Sequence, residues 1–195
     1  MPLIYNDKSL FLWQIEETED QLFAGAMLSS GQCDHLATLT NKMHRLQWLA
    51  ARNIAALNLN TTISYKLNGA PLLVDSAMNV SISHTDNYVA LYVAPHKCGV
   101  DIEVISRNAQ KIARKFTTDT EVEIARKLYP ENPHLLLWCA KEAMYKSVGI
   151  DGAEFLKDLI ITGSTNENTL LATAFGVPTK LKFFVINDLL ITYDY

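Results

Sequence analysis

Apolar residues change their spacing four times along this chain of 195 residues, and that alternation constrains the fold more than any other feature. In NKMHRLQWLAARNIAALNL they fall at 43, 46, 49, 50, 54 and 57, the three-and-four spacing of a helix buried on one side. The pattern is helical from Thr18, a candidate cap, to Leu59. From Thr61 the chain reads as short strands at 61–67, 72–74, 80–83, 88–94 and 98–105. Between them lie Asn68-Gly69, Thr85-Asp86-Asn87 and Pro95-His96, all turn chemistry. Helical spacing returns at 108–116, at 119–128 and through ENPHLLLWCAKEAMYKSVG. In that last stretch Asn132 suits the N-cap, Pro133 the first helical position and Gly149 the stop. Strands resume at 159–162, 169–175, 180–186 and 189–193, the last two joined by Asn187-Asp188. With an opening strand pair at 3–5 and 9–15, the order is helices then strands, twice. The expected fold is therefore α+β in two halves, 1–97 and 98–195, with any shared site near the seam at 95–105.

Composition narrows the function classes. A formal net charge of −4 argues against a nucleic-acid partner held by a generally basic surface. Cys33, Cys98 and Cys139 are odd in number and widely spaced, with no CxxC pair, which points to a reducing cytoplasm. The first residues lack the basic start and long apolar run of a signal peptide. No stretch approaches 18 apolar residues, so no membrane span is expected.

Four constellations carry chemistry. In GVDIE (residues 99–103), Asp101 and Glu103 share one side of a strand while Val100, Ile102 and Val104 share the other. Such a pair is either a wet acidic face or two oxygen ligands for a hard cation such as Mg²⁺. In WCAKEAMYKSVG, Trp138, Glu142 and Lys146 recur every four residues on one helix face, with Lys141 and Tyr145 flanking. A Glu–Lys surface pair and a third ligand beside a phosphate-binding cation both fit that spacing. In VSISHTDNYVA, Ser83 and His84 end a strand, as structural residues or as donors to a phosphate. Arg45 and Arg52, seven apart on the long helix, cover apolar neighbours or together clamp a phosphate.

In this order, the four sets resemble the 4′-phosphopantetheinyl transferase superfamily, in its larger, pseudo-two-fold, surfactin-synthetase-activating type. The resemblance rests on W-x-x-K-E-A-x-x-K-x-x-G at Trp138, Lys141, Glu142, Ala143, Lys146 and Gly149. It rests also on G-[VI]-D-[IV]-E at Gly99 to Glu103, and on the Ser-His strand from Ser81 to His84. RLQWLAAR (Arg45–Arg52) and KFTTDTEVE, with Phe116 and Glu121, are softer matches. The family resemblance implies two similar halves with coenzyme A in the cleft between them. It implies Mg²⁺ on Asp101, Glu103 and Glu142, and transfer of the 4′-phosphopantetheine arm to a serine of an apo acyl or peptidyl carrier protein, as in fatty acid biosynthesis, releasing adenosine 3′,5′-bisphosphate. Glu142, directly or through water, takes the serine proton, and Lys146 steadies the leaving group. Arg52, Arg45, Ser83 and His84 hold the nucleotide end. SRNAQKIARKF offers Arg107, Lys111, Arg114 and Lys115 to an acidic carrier. A monomer is expected, since both halves lie in one chain. One departure stands out: the family's Gly-Lys-Pro is here Gly69-Ala70-Pro71, with Lys66 or Lys42 as substitutes. That departure motivates the alternative of a catalytically silent module that binds coenzyme A or a carrier.

Overall fold

The computed structural model describes residues 3–165 and 168–195. The chain divides into two compact units, Met1–His96 and Lys97–Tyr195.

The first unit runs β1 (Leu3–Asn6), β2 (Leu10–Gln14), α1 (Glu19–Gly25), α2 (Ser30–Thr38), α3 (Lys42–Leu59), β3 (Ile63–Tyr65), β4 (Pro71–Leu73), β5 (Asn79–Thr85) and β6 (Tyr88–Ala94). Its main sheet is antiparallel in the order β1-β2-β6-β5, and β3 and β4 form a separate hairpin. Capping boxes start α1 and α2: Thr18 with Gln21, and Ser29 with Gln32. Each box satisfies two backbone N–H groups that a helix start leaves open. Leu46, Leu49, Ala50 and Ile54 of α3 pack on Phe11, Trp13, Val89 and Leu91 from the sheet. Each fully buried leucine is worth roughly 1.5–3 kcal/mol.

The second unit runs β7 (Val100–Val104), a 3-10 turn (Ala109–Lys115), α4 (Asp119–Leu128), α5 (Pro133–Val148), β8 (Leu159–Thr165), β9 (Thr169–Ala174), β10 (Val177–Ile186) and β11 (Leu189–Asp194). Its antiparallel sheet is ordered β7-β11-β10-β9-β8. The two sheets thus differ in strand number and order. Asn132, Pro133 and Gly149 punctuate α5 as the sequence predicts, and Gly149 adopts a left-handed φ of 61°. The expected helix at 108–116 is instead a 3-10 turn. Asn108 makes no side-chain cap, and within the turn only Ala109 and Ala113 are buried, so little holds a longer α-helix there. Among the described residues no helix is long and apolar enough to cross a membrane.

Candidate active site

The two strongest sequence motifs meet in the second unit. Strand β7 lies at the sheet edge, paired with β11, so that Thr192 faces Asp101 and Leu190 faces Glu103. Helix α5 packs across the same strands. Its Lys146 ammonium donates to Asp101 Oδ1 at 2.7 Å and to the Val100 carbonyl at 2.9 Å. About two turns earlier, the Trp138 indole N–H donates to Glu103 Oε1 at 3.1 Å. Arg107, just past β7, pairs with the same Glu103 carboxylate. Asp101 and Glu103 are therefore not a wet strand face: both are buried, at 5% and 6% exposure.

Gly99 makes this approach possible. A Cβ there would stand 1.8 Å from the Ala143 carbonyl oxygen and 2.9 Å from the Ser147 nitrogen, so any side chain would push β7 off α5.

The carboxylates carry the electrostatic signature of a crowded site. Burial pushes the Glu142 carboxyl above its ordinary range, and the Asp101 charge adds to this, against the pull of Lys146. Glu103 is raised for the same two reasons, with Arg107 and Trp138 opposing. The Cys139 thiol donates to Asp101, and burial followed by that acidic neighbour pushes it well above its ordinary value. Among the described residues, the Thr192 hydroxyl opposite Asp101 is buried without a hydrogen-bond partner. Three carboxylates of which two are pushed toward protonation, beside an orphaned hydroxyl, form a hard oxygen set that suits Mg²⁺. Among the described residues no three His, Cys, Asp or Glu side chains stand ready as a metal cage. Two of the three carboxylates carry a cation instead: Lys146 of α5 pairs with Asp101, and Arg107, just past β7, pairs with Glu103.

Lys141 and Glu121 play a different part from their neighbours. The Lys141 side chain is fully buried, pairs with Glu121 at 2.6 Å and donates to the Phe155 carbonyl at 2.9 Å. Glu121 also closes the capping box of α4 with Thr118 and accepts from the Ile161 N–H at 3.0 Å. Phe116 packs edge-on against Trp138, ring centroids 5.2 Å apart. This cluster joins α4, α5 and β8 and places the indole that Glu103 accepts from.

In the first unit the two arginines part company. Arg45 gives its Nε to Glu19 at 2.9 Å, pairs with the same carboxylate through its terminal nitrogen, and donates to the Leu36 and Leu39 carbonyls. Its fork is thus committed to α1 and the end of α2, and it does not join Arg52. Two helical turns separate them, about 10 Å along the axis, so a shared heading does not bring shared neighbours. Arg52 instead stacks over the Trp48 ring, 3.1 Å from its centroid, with Tyr65 beyond. A pocket of about 200 Å³ opens here, lined by His44, Trp48, Arg52, Tyr65 and His84 among others. Among the described residues neither the buried Arg52 Nε–H nor the buried Trp48 Nε1–H finds an acceptor. Two orphaned donors beside two imidazoles, their rings 5.9 Å apart, suit an anionic, acceptor-rich group.

Ser83 does not line that pocket. Strand alternation sets it on the opposite sheet face from His84, where it is buried while His84 is exposed. Neither Lys42 nor Lys66 lines the pocket in place of the family's lysine at position 70. Sequence reasoning passed over His44 and Trp48, although His44, Trp48 and Arg52 repeat every four residues as Trp138, Glu142 and Lys146 do.

Residues 97–191 match the 4′-phosphopantetheinyl transferase superfamily. The motif strand and motif helix both lie within that span of 95 of the 195 residues. Among individual proteins, the chain is similar to the 4′-phosphopantetheinyl transferase gsp of Aneurinibacillus migulanus, 32% identical over 102 residues. That alignment covers 49% of this chain and 43% of the relative, less than half of either.

Proposed function

We propose that the protein transfers the 4′-phosphopantetheine arm of coenzyme A to a serine of an apo acyl or peptidyl carrier protein, releasing adenosine 3′,5′-bisphosphate. The observation that carries this is the meeting of the two motifs: Lys146 on Asp101, Trp138 on Glu103, and a Glu142 carboxyl raised by burial and then by its acidic neighbour. Asp101, Glu103 and Glu142 would hold Mg²⁺, which supplies charge neutralisation on the pyrophosphate.

The protein's own groups then have separate work. Glu142, whose environment favours taking a proton, accepts the serine hydroxyl proton as the serine oxygen bonds to the β-phosphorus. The bond from that phosphorus to the bridging oxygen breaks. Lys146 leaves Asp101 to pair with the departing phosphate. Arg52, His44 and His84 receive the 3′-phosphate of the nucleotide, which gives the orphaned Arg52 and Trp48 donors their acceptors. Lys111, Arg114 and Lys115 stay exposed on the 3-10 turn, beside exposed Ile105 and Ile112, and suit an acidic carrier. Arg107 pairs with Glu103 while its side chain stays 46% exposed, so it can serve that surface as well. The reading further takes the protein as a cytoplasmic monomer built of two related halves, in keeping with three free cysteines.

Incubation with coenzyme A, Mg²⁺ and a panel of apo carriers tests the proposal. The expected result is a carrier heavier by the mass of the arm, abolished by Asp101→Ala or Glu142→Ala. Full activity in either variant would remove these residues from the site. Coenzyme A binding without a mass shift on any carrier would favour the silent binding module.

A further inference from the structure

Strand β7 and helix α5 carry the proposed metal ligands, and one residue outside both motifs ties them together. Asp194, the last residue of β11, is buried at 6% exposure. Its Oδ1 accepts from the Gly99 N–H at 2.7 Å, and its Oδ2 accepts from the Ser147 hydroxyl. Its own N–H donates to the Gly99 carbonyl at 3.2 Å. Gly99 lies two residues before Asp101, and Ser147 follows Lys146 directly.

We propose that Asp194 is a positioning residue for the carboxylate site, holding the entry of β7 against the last turn of α5 and so setting how Asp101 meets Lys146. The inference rests on the transferase reading but concerns a residue that neither motif contains. Two features make the carboxylate suited to this role. The Gly99 N–H and the Ser147 hydroxyl that face it are donors, and an ionised carboxylate is the side chain that presents two acceptors and no hydrogen. Gly99 gives the strand no side chain with which to resist sliding, because Ala143 occupies that space. Backbone packing sets how close β7 comes, and Asp194 sets where along α5 it stops. Through Gly99 and Ser147 its hold reaches Asp101 and Lys146, the neighbours of those two residues in sequence.

Asp194→Asn keeps one acceptor for Gly99, and its amide can donate to the Ser147 oxygen once that hydroxyl turns. Asp194→Ala keeps neither contact, and Ser147→Ala loses one while leaving Gly99 held. The test compares these variants in two measurements. In the carrier assay, Asp194→Ala is expected to lower kcat by roughly ten- to a hundredfold, the scale on which a displacement near 1 Å acts. KM for coenzyme A should stay within about twofold, Ser147→Ala should show a smaller loss, and Asp194→Asn should restore most of the rate. Mn²⁺ titration followed by electron paramagnetic resonance, with Asp101→Ala as the control, reads the site without turnover. Affinity for Mn²⁺ should fall in Asp194→Ala and recover in Asp194→Asn. That pattern supports the positioning role even should the wild-type protein transfer nothing, an outcome that would overturn the transferase reading alone. Unchanged Mn²⁺ affinity and unchanged kcat in both Asp194→Ala and Ser147→Ala would overturn the positioning role.

Discussion

Lys141 and Lys146 lie five residues apart on α5 and each pairs with a carboxylate, yet everything around them differs. Lys141 is fully buried, and its partner Glu121 is held in turn by a helix cap and a strand N–H. Lys146 keeps 28% of its side chain exposed, and its partner Asp101 sits among other acids. The first pair has its hydrogen bonds met by neighbouring protein groups and nowhere else to go. The second is partly open, and on the proposed reading Mg²⁺ would take the place of Lys146 on Asp101. On one helix, the same pairing thus takes a sealed form and a partly open one, and the distinction lies in the surroundings and not in the residues.

Breaking the buried joint should have the largest effect on the fold. Lys141→Ala strands Glu121 in the interior, and removing one partner of a buried pair costs about 3–5 kcal/mol. The expected outcome is a melting temperature lower by roughly 10 °C, at about 2–4 °C per kcal/mol for a chain of this size. The double variant Lys141→Met with Glu121→Gln should recover much of that loss. A single variant that melts like the wild type would erase the comparison.

Lys146→Ala should behave in the opposite sense. Transfer in the carrier assay is expected to fall about a hundredfold, the usual scale for removing one group that stabilises developing charge. Thermal unfolding should shift by only a few degrees. Comparable losses of stability in the two alanine variants would show that both lysines are joints.

The smallest effect belongs to Glu142, and it has a definite sign. Folding raises this carboxyl above 4.5, chiefly through burial and then through Asp101, so the folded chain binds the proton more tightly. Stability is therefore lost as pH rises through the window above 4.5. Glu142→Gln removes the charge, so it should raise the melting temperature at pH 7.5, while abolishing transfer. Toward pH 4 the gain should vanish. A gain that persists at pH 4 would mean that packing and not charge is responsible.

Much of this architecture was legible beforehand because its signals are local. A cap at Asn132, a proline at 133 and a glycine at 149 define α5 within one stretch. Alternation places Asp101 and Glu103 together, and a repeat of four places Trp138, Glu142 and Lys146 together. What escaped depends on distant partners. Lys141 reads as a flanking surface residue until Glu121 is seen beside it. Arg45 and Arg52 share a heading on the helical wheel, but Glu19, 26 residues from Arg45, decides where the first one goes. Asp194 looks like the frayed end of a strand, and only the fold brings it to Gly99. The left-out lysine at position 70 is the converse case: its absence is plain in sequence, while the Arg52 and Trp48 donors in the same unit appear only in space.

The pairing of β7 with β11 also bears on how the chain is made. These strands open and close the second unit in sequence, so β7 has no sheet partner until β11 has been synthesised. Throughout that interval an apolar strand of Val100, Ile102 and Val104 is an open edge, the kind of segment that recruits other chains into aggregates. Asp101 and Glu103 interrupt it with two like charges. The acidic pair that the finished protein confines beside Lys146 would, in the nascent chain, act as its gatekeeper against misassociation.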